Sequence, residues 1–202
     1  MTAHFALFLA ASALLAVTPG PGIFYVAARA LSGGRRDGML SIAGTAVGGM
    51  VHVLAGAVGV SALLMASAQA FTVLKLAGAA YLVWLGIKTF LSAREAEDLA
   101  APAHGRAFRD GVAVEAFNPK TAMFFLAFIP QFIDPAHAVA VQFALLGTIS
   151  VALNSLADVA VALAATRLRA RFLGPGLLRA TKRISGTLMC GLGASLALMR
   201  RS

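Results

Sequence analysis

Charge is scarce in this sequence. Only 12% of its 202 residues are Asp, Glu, Lys or Arg, about half the share that a soluble domain carries. There is a single cysteine, Cys190. It excludes an intrachain disulfide, a multi-cysteine metal site and a thiol-redox pair. Acidic residues number 8 against 17 Lys and Arg, and only Asp158 lies clearly inside an apolar run. A carrier of metal cations would need clustered acidic or thiolate ligands there, so a metal site is not expected. No phosphate-cradling loop of the P-loop type occurs, which argues against ATP-driven transport by this chain alone. No cofactor is expected. The N-terminus has no basic leader, and its apolar run continues past residue 17, so a cleaved signal peptide is disfavoured.

What remains is apolar. Hydrophobic residues make up 59% of the chain, and the mean hydropathy is +0.84. Runs of about 20 apolar residues recur, the length that crosses ~30 Å of hydrocarbon. The lipid bilayer is thus the expected solvent. A net charge of +9 could suggest nucleic acid. The Lys and Arg, however, cluster in short gaps between apolar runs without interleaved aromatics, so no nucleic-acid partner is expected.

Spans are expected at roughly 5–30, 40–69, 73–91, 111–132, 137–165 and 184–199. "SAREAEDLAAPAHGRAFRDG" supplies the one long polar loop, at 92–110. "RLRARFLGPGLLRATKR" alternates Leu with Arg and is expected along the headgroups. The first, third and fifth gaps hold thirteen Lys and Arg, Arg29 among them, against three on the opposite side. This bias puts both termini outside the cytoplasm and the 92–110 loop inside it.

Three plus three spans suggest an internal duplication, with repeat one at 1–92 and repeat two at 110–202. Thr18-Pro19 in "VTPGPGIFY" has a counterpart in Asn118-Pro119, and "KLAG" at 75–78 resembles "RISG" at 183–186. A three-span unit repeated once must be inverted in the membrane, because three is odd. The expected fold is therefore an all-α integral membrane protein. Its six transmembrane helices form one domain of two inverted three-helix repeats, with the first and fourth helices broken.

Thr18 and Asn118 both read as N-caps, each followed by proline at the first helical position. Half-helix N-termini would then meet near the midplane. Their free N–H groups and positive dipole ends suit a substrate carboxylate. Thr18, Pro19, Gly20, Pro21, Gly22, Asn118, Pro119 and Lys120 are the candidate substrate-binding residues. Gly20 and Gly22 let a ligand approach the main chain. The ammonium of Lys120 could meet a carboxylate or pair with Asp158. Ionisable groups inside spans are usually functional. Glu115 is read instead as interfacial, near the end of its span. His52 shares a face with Gly44, Gly48 and Gly56, a small-residue stripe suited to helix packing. Phe124, Phe125 and Phe128 read as packing or lipid-facing residues, and Tyr81 and Trp84 as packing residues or interface anchors.

"TPGPG", "LSGGRRDGMLSIAGTAVGGMVHVLAGAVG", "LKLAGAAYLVWLGIKTF" and "FNPKTAMFFLAFIPQF" together resemble the LysE/RhtB family of bacterial amino-acid exporters. The resemblance implies efflux of an amino acid or close derivative across the bacterial inner membrane, driven by the proton-motive force. The partners it implies are a small amino-acid substrate and protons. For coupling, Asp158 is the first candidate and His52 the second, since an imidazole titrates near neutral pH. A homo-oligomer is compatible with this reading. Enzymatic activity is not expected. The competing readings are a transporter of another small solute, such as a metal cation, and a non-transport membrane protein of similar fold.

Overall fold

A computed structural model describes residues 2–66, 68–91, 106–167 and 175–198. The described residues form helices, in the order α1 (Thr2–Val17), α2 (Pro21–Ala66), α3 (Ala68–Leu91), α4 (Ala107–Ala116), α5 (Pro119–Met123), α6 (Val139–Arg167) and α7 (Pro175–Leu198). After α5 the backbone widens into a π turn, Phe124–Phe128, and then tightens into a 3-10 turn, Ile129–Phe132.

The gap expected between the spans at 5–30 and 40–69 is instead part of α2. Only Gly34 departs from helical geometry there, with φ 70 and ψ −162. That positive φ costs glycine nothing. The chain folds back at this one residue. A Cβ on Gly38 would lie 3.2 Å from that of Ala30, whereas eight residues of straight helix span about 12 Å. The polar loop also differs at its far end, because Ala107–Asp110 already form the first turn of α4. Asp110 suits the positive end of the α4 dipole. Residues 92–105 and 168–174 lie outside the described residues. Of the segment expected along the headgroups, the part from Pro175 onward is continuous with α7.

Among the described residues, two stretches are long and apolar enough to cross a bilayer: Pro21–Gly59, which folds back at Gly34, and Val139–Arg167. The pair Ala107–Ala116 and Pro119–Phe132, bent by 42° at its break, makes a third if counted as one span. The outer surface is apolar: Leu54, Val58, Val73, Leu145 and Leu156 are all at least 61% exposed. Such a surface is at home in lipid rather than water.

With lipid outside, close packing and polar contacts hold the helices together rather than hydrophobic exclusion. The glycine stripe of α2 lies against α4. A Cβ on Gly44 would fall 2.2 Å from the Phe108 carbonyl oxygen, and one on Gly48 would fall 2.6 Å from that of Val112. Gly56 faces the Phe143 ring of α6 in the same way. Helix α3 meets α7 where Gly86 and Gly186 bring the two backbones together.

Arg29 was expected among the loop cations but is fully buried. Its guanidinium donates to Asp110 Oδ2 at 2.6 Å, and its Nε donates to the Tyr25 hydroxyl at 2.9 Å. That hydroxyl donates in turn to the Ala107 carbonyl at 2.8 Å. A buried guanidinium requires such partners, and together they tie the first arm of α2 to the start of α4.

The centre is a phenylalanine core. Phe8, Phe124, Phe125, Phe128 and Phe143 are at most 2% exposed. Their rings form a ladder, with Phe8 to Phe132 at 5.5 Å, Phe132 to Phe128 at 5.3 Å and Phe128 to Phe124 at 5.0 Å between centroids.

Candidate functional site

The two proline breaks are built differently. At the first, Thr18 closes α1 and does not cap α2. Its hydroxyl donates to the Leu14 carbonyl, and its N–H reaches the carbonyls of Leu14 and Leu15 at 3.0 and 3.1 Å. The last carbonyls of a helix lack intrahelical partners, and a Thr hydroxyl reaches back one turn easily. Helix α2 begins two residues later than the N-cap expectation. Gly20 supplies the capping carbonyl, which accepts from Phe24 N–H at 3.0 Å, and Pro21, not Pro19, is the first helical residue.

The second break has the expected cap. Asn118 is extended (φ −74, ψ 109), and its side-chain oxygen accepts from Lys120 N–H at 3.1 Å. Pro119 has no N–H, so it cannot serve the Glu115 carbonyl four residues earlier. Two other donors do so: Asn118 N–H at 3.0 Å and His52 Nε2 at 2.9 Å.

Lys120 joins the breaks. It is 4% exposed, and its chain passes over Gly20, where a Cβ would lie 3.3 Å from Lys120 Cε. Its ammonium donates to the carbonyls of Leu15 at 3.1 Å and Thr18 at 2.8 Å. These are the negative end of α1, which a cation complements. No ion pair within 4 Å links Lys120 to Asp158 or Glu115 among the described residues.

Glu115 departs most from expectation. It is 5% exposed, not interfacial. Thr121 Oγ1 donates to its Oε1 at 2.6 Å, and Asn118 Nδ2 donates to its Oε2 at 3.0 Å. The carboxylate rests over the start of α2, where a Cβ on Gly22 would be 2.6 Å from Oε2. The legible signal was an acid one turn ahead of an Asn-Pro break. What it bonds to depends on packing.

These groups enclose a small polar cavity of about 20 Å³, room for about one water. Gly22, Thr45, Glu115, Asn118, Lys120, Asn154 and Asp158 are among its lining residues. Asp158 is 6% exposed and accepts from Thr45 Oγ1 at 3.1 Å. The site thus brings together four of the residues singled out from sequence: Gly22, Asn118, Lys120 and Asp158. Thr18 and Gly20 touch it through Lys120. Pro19, Pro21, Pro119 and His52 are not among the lining residues. Thr45, Thr121 and Ser155 were not foreseen, since nothing local marks an isolated hydroxyl. A second, wider cavity of about 720 Å³ opens at the other end of the phenylalanine ladder, where Phe8, Gln131, Phe132 and Asp134 line it. No three His, Cys, Asp or Glu among the described residues are placed to hold a metal ion.

The family model described as LysE type translocator matches residues 13–200. The homoserine/homoserine lactone efflux protein of Salmonella typhimurium is 35% identical over 199 residues, covering 96% of each chain. An uncharacterized membrane protein of Vibrio cholerae is 31% identical, covering 94% of each. The leucine efflux protein of Klebsiella pneumoniae is 25% identical over 131 residues, covering 63% of this chain and 62% of its own. No solved structure matches significantly. A match over nearly the whole length, together with the apolar helices, establishes that the chain belongs to the LysE type translocator family and is a multi-pass protein of the inner membrane.

Proposed function

We propose that this protein exports a small amino acid or a close derivative across the inner membrane in exchange for protons. One observation carries the reading: a small polar cavity between two proline breaks, lined by two carboxylates, Glu115 and Asp158, and one ammonium, Lys120. Irregular backbone at membrane depth is tolerated where it is buried in protein or lines a cavity. The two carboxylates and one lysine leave the ionised site one positive charge short. A proton or a substrate cation supplies it, and competition for one charge is the elementary form of exchange. The relatives' names support the substrate class. Homoserine and its lactone share an α-ammonium and a short polar body, and only the first has a free carboxylate. The phenylalanine ladder serves as a closed barrier between the cavity and the wider vestibule at Gln131 and Asp134. The direct test is intracellular accumulation and efflux of an amino-acid panel, with and without expression of the chain. Equal efflux in both strains for every compound would remove the reading.

The arrangement behind this reading is six spans in two inverted repeats. Its support is the matched position of the breaks and the pairing of corresponding helices: α3 with α7, and the second arm of α2 with α6 through Thr45 and Asp158. Reporter fusions after Arg35, Arg106 and Arg179 are expected to report the cytoplasm, and those after Ala70 and Ala136 the outside. A periplasmic signal at Arg106 would overturn the charge bias and the inverted repeat together.

A further inference from the structure

The side-chain donors at the breaks each already serve a group of the protein itself. Asn118 Nδ2 and Thr121 Oγ1 are held by Glu115, at 3.0 and 2.6 Å. The Lys120 ammonium is held by the carbonyls of Leu15 and Thr18, at 3.1 and 2.8 Å. The start of α2 is covered by the Glu115 carboxylate, so close that Gly22 has no room for a Cβ. A second carboxylate placed there would meet the negative charge of Glu115, and the lining cation, Lys120, already donates to two carbonyls. The unmet need is of the opposite sign. Asp158 is almost wholly buried, faces the same cavity, and accepts a hydrogen bond from Thr45 alone among the described residues.

We infer that the cavity reads its substrate by the ammonium group, with Glu115 as its anchor, and does not require a free carboxylate. The two acids divide the work by how they are held. Two donors fix Glu115 in one orientation, as a positioned anchor requires. Asp158 has one hydroxyl partner and keeps an oxygen for a transferable proton. The substrate class is then small α-ammonium compounds, with esters, lactones and amides accepted beside the free amino acids. The 2-hydroxy acids, which keep the carboxylate and lose the ammonium, are excluded. This inference rests on the export reading and refines it.

Counterflow into proteoliposomes tests it, with L-homoserine and L-leucine as labelled substrates. The competitors are L-homoserine lactone, L-leucine methyl ester and the two corresponding 2-hydroxy acids. The lactone or ester should compete within about threefold of its parent amino acid, because the charge-assisted contact is kept. The hydroxy acids should be weaker by about tenfold or more, the loss expected when a hydrogen bond to a charged group is missing. Competition by the hydroxy acids but not by the lactone or ester would overturn the inference and leave export standing. Counterflow of neither amino acid would overturn both. Glu115→Gln should raise the half-saturating concentration of amino acid and ester alike by about tenfold, with partial recovery in Glu115→Asp. A merely structural role would lower the amount of protein in the membrane and leave half-saturation where it was. An unchanged half-saturation at normal protein level would overturn the assignment to Glu115.

Discussion

Asp158→Asn is expected to abolish concentrative export while leaving exchange at equal concentrations intact. The substitution is nearly isosteric and keeps an oxygen to accept from Thr45, whose 3.1 Å bond joins α2 to α6. The fold should therefore survive. What is lost is the group that carries the transferable proton. One charge moving through 100 mV is worth ~2.3 kcal/mol, a concentration ratio of roughly fiftyfold. The ratio that reconstituted vesicles sustain under an imposed proton-motive force should fall from that order to one. If the Asn variant still concentrates substrate, Asp158 is not the coupling residue. His52 is then the next to replace. It does not line the cavity, but it holds the Glu115 carbonyl at 2.9 Å, so proton binding there could reach the site through α4.

The breaks should be equally sensitive. Gly22→Val places side-chain atoms where Glu115 Oε2 now lies, 2.6 Å from where the new Cβ would stand. The carboxylate must leave the mouth of α2. Asn118→Leu removes a cap worth ~0.5–2 kcal/mol and also one of the two donors holding Glu115. Both variants are expected to reach the membrane in normal amount and to export at the background rate. Gly20→Val should act in the same direction through Lys120, which lies across that glycine. Normal export by Gly22→Val and Asn118→Leu together would reduce the breaks to structural kinks.

Parts of this site are legible in the sequence. Asn118-Pro119 forms the cap and helix start that its residue types favour, because an N-cap is satisfied by atoms two or three residues away. Thr18-Pro19 has the same local chemistry but a different fate. A Thr hydroxyl can serve the helix before it or the helix after it, and here α1 takes it. The second proline, Pro21, then starts α2. At "SGGRRDG" the sequence predicts a gap between two spans. One glycine at positive φ reverses the chain with no loop at all. Arg29 shows the limit of counting charges. A cation near the end of an apolar run reads as a loop residue until its partner, Asp110, is found 81 positions away.

The sequence alone determined the solvent and the interruptions. Sparse charge and long apolar runs leave no medium but a bilayer, and prolines break helices through their own covalent structure. Tertiary structure decided what the interruptions are for. The carbonyl orphaned by Pro119 is met by His52, 63 positions before it, and the carbonyls ending α1 are met by Lys120, 102 and 105 positions after them. Local chemistry states which backbone groups lack a partner. Only the packing of distant helices brings one within 3 Å or so, and here it brought two carboxylates and a lysine to one cavity.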